Sequence, residues 1–339
     1  MVTKAATTAQ SGSSGNMPSG SWPAYALVLI VLAAAFYAFS PRPAPPFPPT
    51  LVHSDRLLIN GLAQRGTRII AVGEQGQIIL ADAPNGPWHQ AKVQPQRGST
   101  LTQVIFTGDN TALAVGHDGW ILRSQDNGET WTETAFDTER SDPLLGVAGP
   151  YAGKIFAFGG FGRFMVSGDG GKTWQKETSA AIGDHHVNAM TQTGDGSLLL
   201  VGERGLMLRS TDNGQNWQAL PSIYTGSFYG VLTLPSKRLL VYGMRGNAFS
   251  SGDNGHTWQK STVPLEVSLL GGASSKGEVV LVGEGNSILV SQDGGQHFRV
   301  AAEGERRSLA AVIPIAAGEW LTGGESGVAL KKAVAGAKS

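Results

Sequence analysis

The chain has 339 residues, with 47 Gly, 17 Pro, 8 Trp and no Cys, and its 26 basic residues balance 26 acidic ones. The lack of Cys excludes a disulfide framework, a zinc–thiolate site, an iron–sulfur cluster, a thiol nucleophile and a lipid-modified N-terminal cysteine. Zero net charge gives no electrostatic case for nucleic acid, and glycine at about twice its average usage points to a turn-rich β protein.

Residues 1–21 are mostly Ala, Thr, Ser and Gly and read as disordered. From Ala24 to Phe39 sixteen residues run without a charge. As a helix they span about 24 Å, and with Trp22, Pro23 and Ser40 they approach the roughly 30 Å hydrocarbon core of a bilayer. Trp22, Tyr25 and Tyr37 stand near the ends, where amphipathic rings favour the interface. A cleaved signal peptide is the alternative. The long leader, and Pro41 directly after the one Ala-x-Ser site, favour a retained transmembrane helix over 22–40. Lys4 on one side and Arg42 on the other leave the orientation undecided by charge; export of the following domain is the usual outcome for such an anchor. Residues 41–49 (PRPAPPFPP) form a polyproline spacer.

The remainder repeats. SQDNGETW (124–131), SGDGGKTW (167–174), STDNGQNW (210–217) and SGDNGHTW (251–258) share one octad; SQDGGQHF (291–298) ends in Phe, and ADAPNGPW (81–88) keeps little beyond the Trp. Eight residues before each octad stands a glycine: Gly73, Gly116, Gly159, Gly202, Gly243 and Gly283, with a seventh, Gly324, lacking an octad. Successive glycines are 43, 43, 43, 41, 40 and 41 residues apart. Within each unit the apolar pattern gives four short strands, with a G-x-x-G turn between the second and third. Four strands per roughly 40 residues, seven times over, predicts an all-β, seven-bladed β-propeller over 50–332, with 333–339 as a flexible tail. The last unit stops at Lys332 after three strands, so Leu51–His53 is expected to close the ring.

The octad S-x-D-x-G-x-T-W is the Asp-box, expected in the turn between third and fourth strands. Asp126, Asp169, Asp212, Asp253 and Asp293 can accept hydrogen bonds from their own turn's amides. Trp131, Trp174, Trp217 and Trp258 are expected to fold back against the blade edge. One carboxylate per turn is too few for a calcium cage. No metal site, cofactor or catalytic set is expected. His185 and His186, adjacent on the chain, make a poor joint metal site unless a turn intervenes. The many G-x-x-G turns are blade turns rather than dinucleotide fingerprints.

Propeller topology puts the turns between second and third strands on one face with the connections between blades. Arg163, Arg204 and Arg245 recur at a spacing of 41 and are expected to form an arc there, with Phe161, His185, His186, Tyr224 and Phe228 beside them. Arginine suits bidentate capture of carboxylates or phosphates. Arginines and aromatics together on one rigid face favour a protein-binding surface over a merely solvated one.

The octads, seven units and N-terminal leader together resemble the photosystem II stability and assembly factors of chloroplasts and cyanobacteria. The resemblance spans about 47–332 and implies a seven-bladed Asp-box propeller that binds a newly made membrane subunit through an arginine-rich patch, without catalysis; Arg163, Arg204 and Arg245 best match that patch. The usual leader of that family is a cleaved signal or lipoprotein signal, whereas this one reads as a retained helix. Relatives in non-photosynthetic bacteria resemble this arrangement and are found with exporters of the RND (MMPL-like) superfamily. The expectation is a propeller anchored in a bacterial inner membrane, on the periplasmic side, serving as accessory subunit of such a transporter. Two alternatives stay open: a photosystem II factor proper, and a glycan-binding or sialidase-like protein. Against the last, the chain lacks an Arg-Ile-Pro motif and has seven units where sialidases have six blades, while glycoside hydrolysis needs two carboxylates facing across a cleft.

Overall fold

The computed structural model describes residues 21–40, 52–304 and 306–333. The leader expected to be disordered, up to residue 20, the expected 41–49 spacer, Leu51 and the tail after Ala333 lie outside the described residues. The chain divides into two units, residues 1–50 and 51–339.

The first unit contains the α-helix Trp22–Phe39, with Pro in its opening turn and no buried residue. It is long and apolar enough to cross a membrane, a property that single-pass anchors and signal sequences share.

The second unit is a seven-bladed propeller. The blades cover 59–90, 101–135, 144–176, 187–219, 228–260, 269–302 and 309–332, and in each the strands pair antiparallel in chain order. Blades 1 to 6 have four strands and blade 7 has three. After its outer strand the chain of blade 1 runs on through Lys92–Gln94, which pairs parallel with the outer strand of blade 2. Thr262, following blade 5, bridges His297 of blade 6 in the same sense.

Each innermost strand carries an irregularity at its second residue: Asn60, Thr102, Leu145, Asn188, Tyr229, Leu270 and Ala310 are skipped by the pairing register. Such bulges turn a side chain out of the pleat. Three of these residues use that freedom to tie blades together. Asn60 Nδ2 donates to Leu101 O at 2.9 Å, Thr102 Oγ1 to Leu144 O at 2.9 Å and Asn188 Nδ2 to Phe228 O at 2.7 Å, each on the next blade.

The core lies between blades. Seven apolar clusters fill seven seams: Ile70, Leu80, Leu101 and Leu122 between blades 1 and 2, for example, and Val280, Val290, Leu309 and Trp320 between blades 6 and 7. The closing seam joins Leu321 and Val328 of blade 7 to Ile59, Ile69 and Ile79 of blade 1, with Val52, Leu57 and Trp88 packed against them.

Closure differs from the expectation. Among the described residues no fourth strand pairs with Gly327–Lys332. Val328 N instead donates to Ser54 O at 2.8 Å. A β-carbon on Gly327 would collide with Ser54 O, as one on Gly162, Gly205 or Gly246 would collide with the carbonyl of Gly183, Tyr224 or Leu265. Ser54 therefore occupies the place that the connections between blades hold elsewhere. Among the described residues the ring is shut by a docked connection and an apolar seam.

The glycines that mark the repeat have a packing reason. Gly243 is extended, and a β-carbon on it would strike Ser227 O, immediately before the innermost strand; all seven repeat glycines face such a carbonyl. Gly243→Ala should therefore cost roughly 1–3 kcal/mol in denaturant unfolding. Gly168→Ala, at an octad position with open space around it, should stay within about 0.5 kcal/mol.

Candidate docking face

The G-x-x-G segment between second and third strands is one short turn repeated around the ring. Its first glycine is extended, and the second residue after that glycine sits in the left-handed region: Gln75, Asp118, Phe161, Arg204 and Arg245 all have φ between 52° and 55°, and Gly285 has φ 66°. The connection leaving the blade packs on this turn. Gly162 N donates to His185 O at 3.0 Å, Gly246 N to Val267 O at 2.6 Å and Asp137 N to Asp118 O at 2.8 Å. Turns and connections thus build one face, as the topology predicts.

On that face Phe161, Arg204 and Arg245 are exposed and occupy equivalent left-handed positions in blades 3, 4 and 5. Neither Arg204 nor Arg245 makes an ion pair among the described residues. Arg163 corrects the expected arc. Blades 3 and 4 repeat at 43 residues and not at 41, so Arg163 falls at the fourth position after its repeat glycine and not the second. Its side chain is only 11% exposed, lies over Gly119 of blade 2 and pairs with Asp137. That hydrogen bond, then the amides of Arg140 and Glu139, draws the Asp137 carboxyl down to about 2. Arg163 fastens a connection between blades; Phe161 fills the place assigned to it.

Phe228 is a second correction. It opens the innermost strand of blade 5, where every blade has a fully buried or nearly buried residue, and packs in the seam between blades 4 and 5. Tyr224 is half-buried over Phe228 and Phe249, with its hydroxyl 3.4 Å from Met244 O. His185 Nδ1 stands 3.0 Å from Ile182 O. The His186 ring meets Phe161 edge-on at 4.9 Å, and its amide donates to Glu203 Oε1 at 3.1 Å.

That last bond belongs to a pattern that sequence reasoning missed. Glu74 accepts from Leu58 N at 3.0 Å and Glu284 from Ser268 N at 2.9 Å, again immediately before the innermost strand. Three of the face's acids are therefore engaged by their own backbone. The signal was Gly-Glu recurring at the repeat glycine.

The Asp-boxes lie at the other end of the blades, beside the first hairpins: Asn127 N donates to Asn110 O at 2.9 Å. In all five, the Ser hydroxyl donates to Asp Oδ1 at 2.7–2.8 Å and receives the Gly amide at 2.8–3.0 Å. The amide of the seventh octad residue donates to the same Oδ1 at 2.9–3.0 Å. The amide of Asn216 and then its side chain bring Asp212 down to about 2. Asp169, through the Thr173 amide first, and Asp253, through the Thr257 hydroxyl first, are held below the ordinary carboxylate range. Trp131, Trp174, Trp217 and Trp258 run into the seams with the preceding blade. Trp131 Nε1 donates to Gly128 O at 2.7 Å, and Trp217 sits edge-on to Phe164 of blade 3 at 5.8 Å.

The central channel, about 250 Å³, takes its lining from all seven innermost strands, with Asn60, Gln103, Asn188 and Tyr229 as its main polar groups. No carboxylate lines it. The acid pair required for glycoside hydrolysis is not supplied there.

Ring, seams and turns define a seven-bladed Asp-box β-propeller with one face built from turns and connections between blades. A family profile described as "Photosynthesis system II assembly factor YCF48" matches residues 127–264, from the Asp-box of blade 2 to just past blade 5. The fold is similar to a structure described as "YCF48 bound to D1 peptide" (18% identity, 86% of this chain and 97% of that one, TM-score 0.66). YCF48 from Cyanidioschyzon merolae is similar too (16%, 84% and 98%, TM-score 0.67), as is streptogramin B lyase (12%, 84% and 96%, TM-score 0.68). At these identities the likeness is one of fold, which hosts binding and chemistry alike. No curated protein matches the chain.

The lowered box carboxylates should contribute to the acid sensitivity of the fold. A carboxyl with a depressed pKa adds stability that is fully present above its unfolded value, near 3.9, and is lost as pH falls through the folded one. Thermal midpoints should hold down to about pH 4 and fall between about pH 4 and pH 2. Asp212→Asn should lower the midpoint at pH 7 and flatten that fall.

Proposed function

We propose that this protein is a non-catalytic, membrane-anchored propeller that assembles or stabilises a membrane protein complex through the turn face. The observation that carries the reading is the arc of Phe161, Arg204 and Arg245: three consecutive blades present exposed side chains on identical rigid slots, and the two arginines are free of ion pairs among the described residues. A rigid surface of this kind binds with little ordering cost, and unpaired arginines select carboxylates on the partner. The family-profile match, and the fold's likeness to a YCF48 described as bound to a D1 peptide, support protein binding over catalysis. The helix Trp22–Phe39 supplies an anchor. The partner in this reading is an integral membrane protein, an RND/MMPL-type exporter by the resemblance noted above, met on the periplasmic side of a bacterial inner membrane.

The test is affinity purification of the full chain from its native host in mild detergent, with mass spectrometry. Wild type should recover a polytopic membrane protein, and Arg204→Glu with Arg245→Glu should reduce the yield about tenfold or more. An exporter subunit among the recovered proteins supports the transporter reading, and a photosystem subunit replaces it. Recovery of no membrane protein by wild type overturns the proposal.

A further inference from the structure

We infer that Phe161 is an aromatic anchor for a polypeptide segment that offers an apolar side chain next to a carboxylate. The inference rests on the docking-face reading and names what that face recognises.

Three observations converge on this residue. Among the described residues of the propeller, Phe161 and Leu330 are the only large apolar side chains left exposed, Phe161 at 58%. Its backbone is left-handed, φ 54° and ψ 40°, a region that disfavours bulky residues and that blade 6 fills with Gly285. Blades 1, 2, 4 and 5 put the polar Gln75, Asp118, Arg204 and Arg245 in this slot, so what sets Phe161 apart is an uncovered ring. Finally, the ring is seated: the His186 ring meets it at 72° with centroids 4.9 Å apart, and the His186 amide is tied to Glu203. A seated aromatic loses little freedom when covered, which suits it to an interface hot spot.

The neighbouring slot fixes the second half of the ligand. Arg204 holds the equivalent position in blade 4, exposed and without an ion pair among the described residues. The adjacent Glu203 makes no ion pair with it among the described residues; its Oε1 accepts from the His186 amide. An apolar contact and a cation on adjacent blades select a segment with an aliphatic or aromatic residue flanked by acids.

The probes are three fluorescein-labelled tetrapeptides, Glu-Leu-Phe-Glu, Glu-Gly-Ser-Glu and Lys-Leu-Phe-Lys, titrated by anisotropy against the full chain in detergent. The first should bind about tenfold or more tightly than either of the others. Phe161→Gly should erase its advantage over Glu-Gly-Ser-Glu while the thermal midpoint stays level or rises by about 1–3 °C, since glycine relieves the left-handed strain. Arg204→Gln should erase its advantage over Lys-Leu-Phe-Lys. Equal binding of all three peptides by wild type overturns the inference. So does a preference that survives Phe161→Gly, or a marked fall in midpoint on that change, which would make the ring a packing element. In host purification, a partner retained by Phe161→Gly but lost by the double arginine variant removes the anchor and leaves the docking face. Wild type recovering no membrane partner removes the docking face itself.

Discussion

Everything in this propeller depends on the packing of each blade's face against its neighbour. A four-stranded sheet has two apolar faces and no means of covering either alone. Here the seven apolar clusters all sit in seams, from Ile70 and Leu122 between blades 1 and 2 to Leu321 and Ile79 at the closure. The Asp-boxes serve those seams at a distance. Each holds its turn through a Ser–Asp–amide network, and so delivers Trp131, Trp174, Trp217 or Trp258 against the preceding blade. The octad's carboxylates are therefore structural in their contacts even though they lie near the surface.

A ring held this way gives every blade the same turn geometry. The second turn residue is left-handed from Gln75 through Gly285 whatever its side chain, because the glycines around it must let backbone carbonyls approach closely. Backbone and side chain are thus decoupled at this slot, and chemistry can change from blade to blade without disturbing the fold. Glu74, Glu203 and Glu284 are spent on amides of the same blade. The outward slots of blades 3 to 5 carry Phe161, Arg204 and Arg245, while Gln75 and Glu325 are exposed on the turns of blades 1 and 7. The channel, built from bulged inner strands rich in small residues, contributes polar amides and hydroxyls rather than ionised groups.

The repeat is legible in the sequence, whereas raw spacing between like residues is not a guide to equivalent positions. Seven glycines at 40–43 residues gave the blade count, and the octads gave the position of the third turn. Arg163 was misplaced because repeats of unequal length shift the frame by two residues. Counted from its own repeat glycine, Phe161 aligns with Arg204 and Arg245. Phe228 looked like a loop residue because the connection before it is polar, yet it opens a strand and is fully buried.

Local chemistry settled the turns. Ser, Asp, Gly and Thr at fixed offsets close a hydrogen-bonded loop without help from the rest of the chain, so the octads were legible as written. Whether an arginine is free or consumed was settled elsewhere. Arg163 meets Asp137 across a blade boundary, Ser54 meets Val328 across the whole ring, and His186 seats Phe161 from the following connection. Those pairings are set by how seven sheets stack around an axis, which the local chemistry of a turn does not determine.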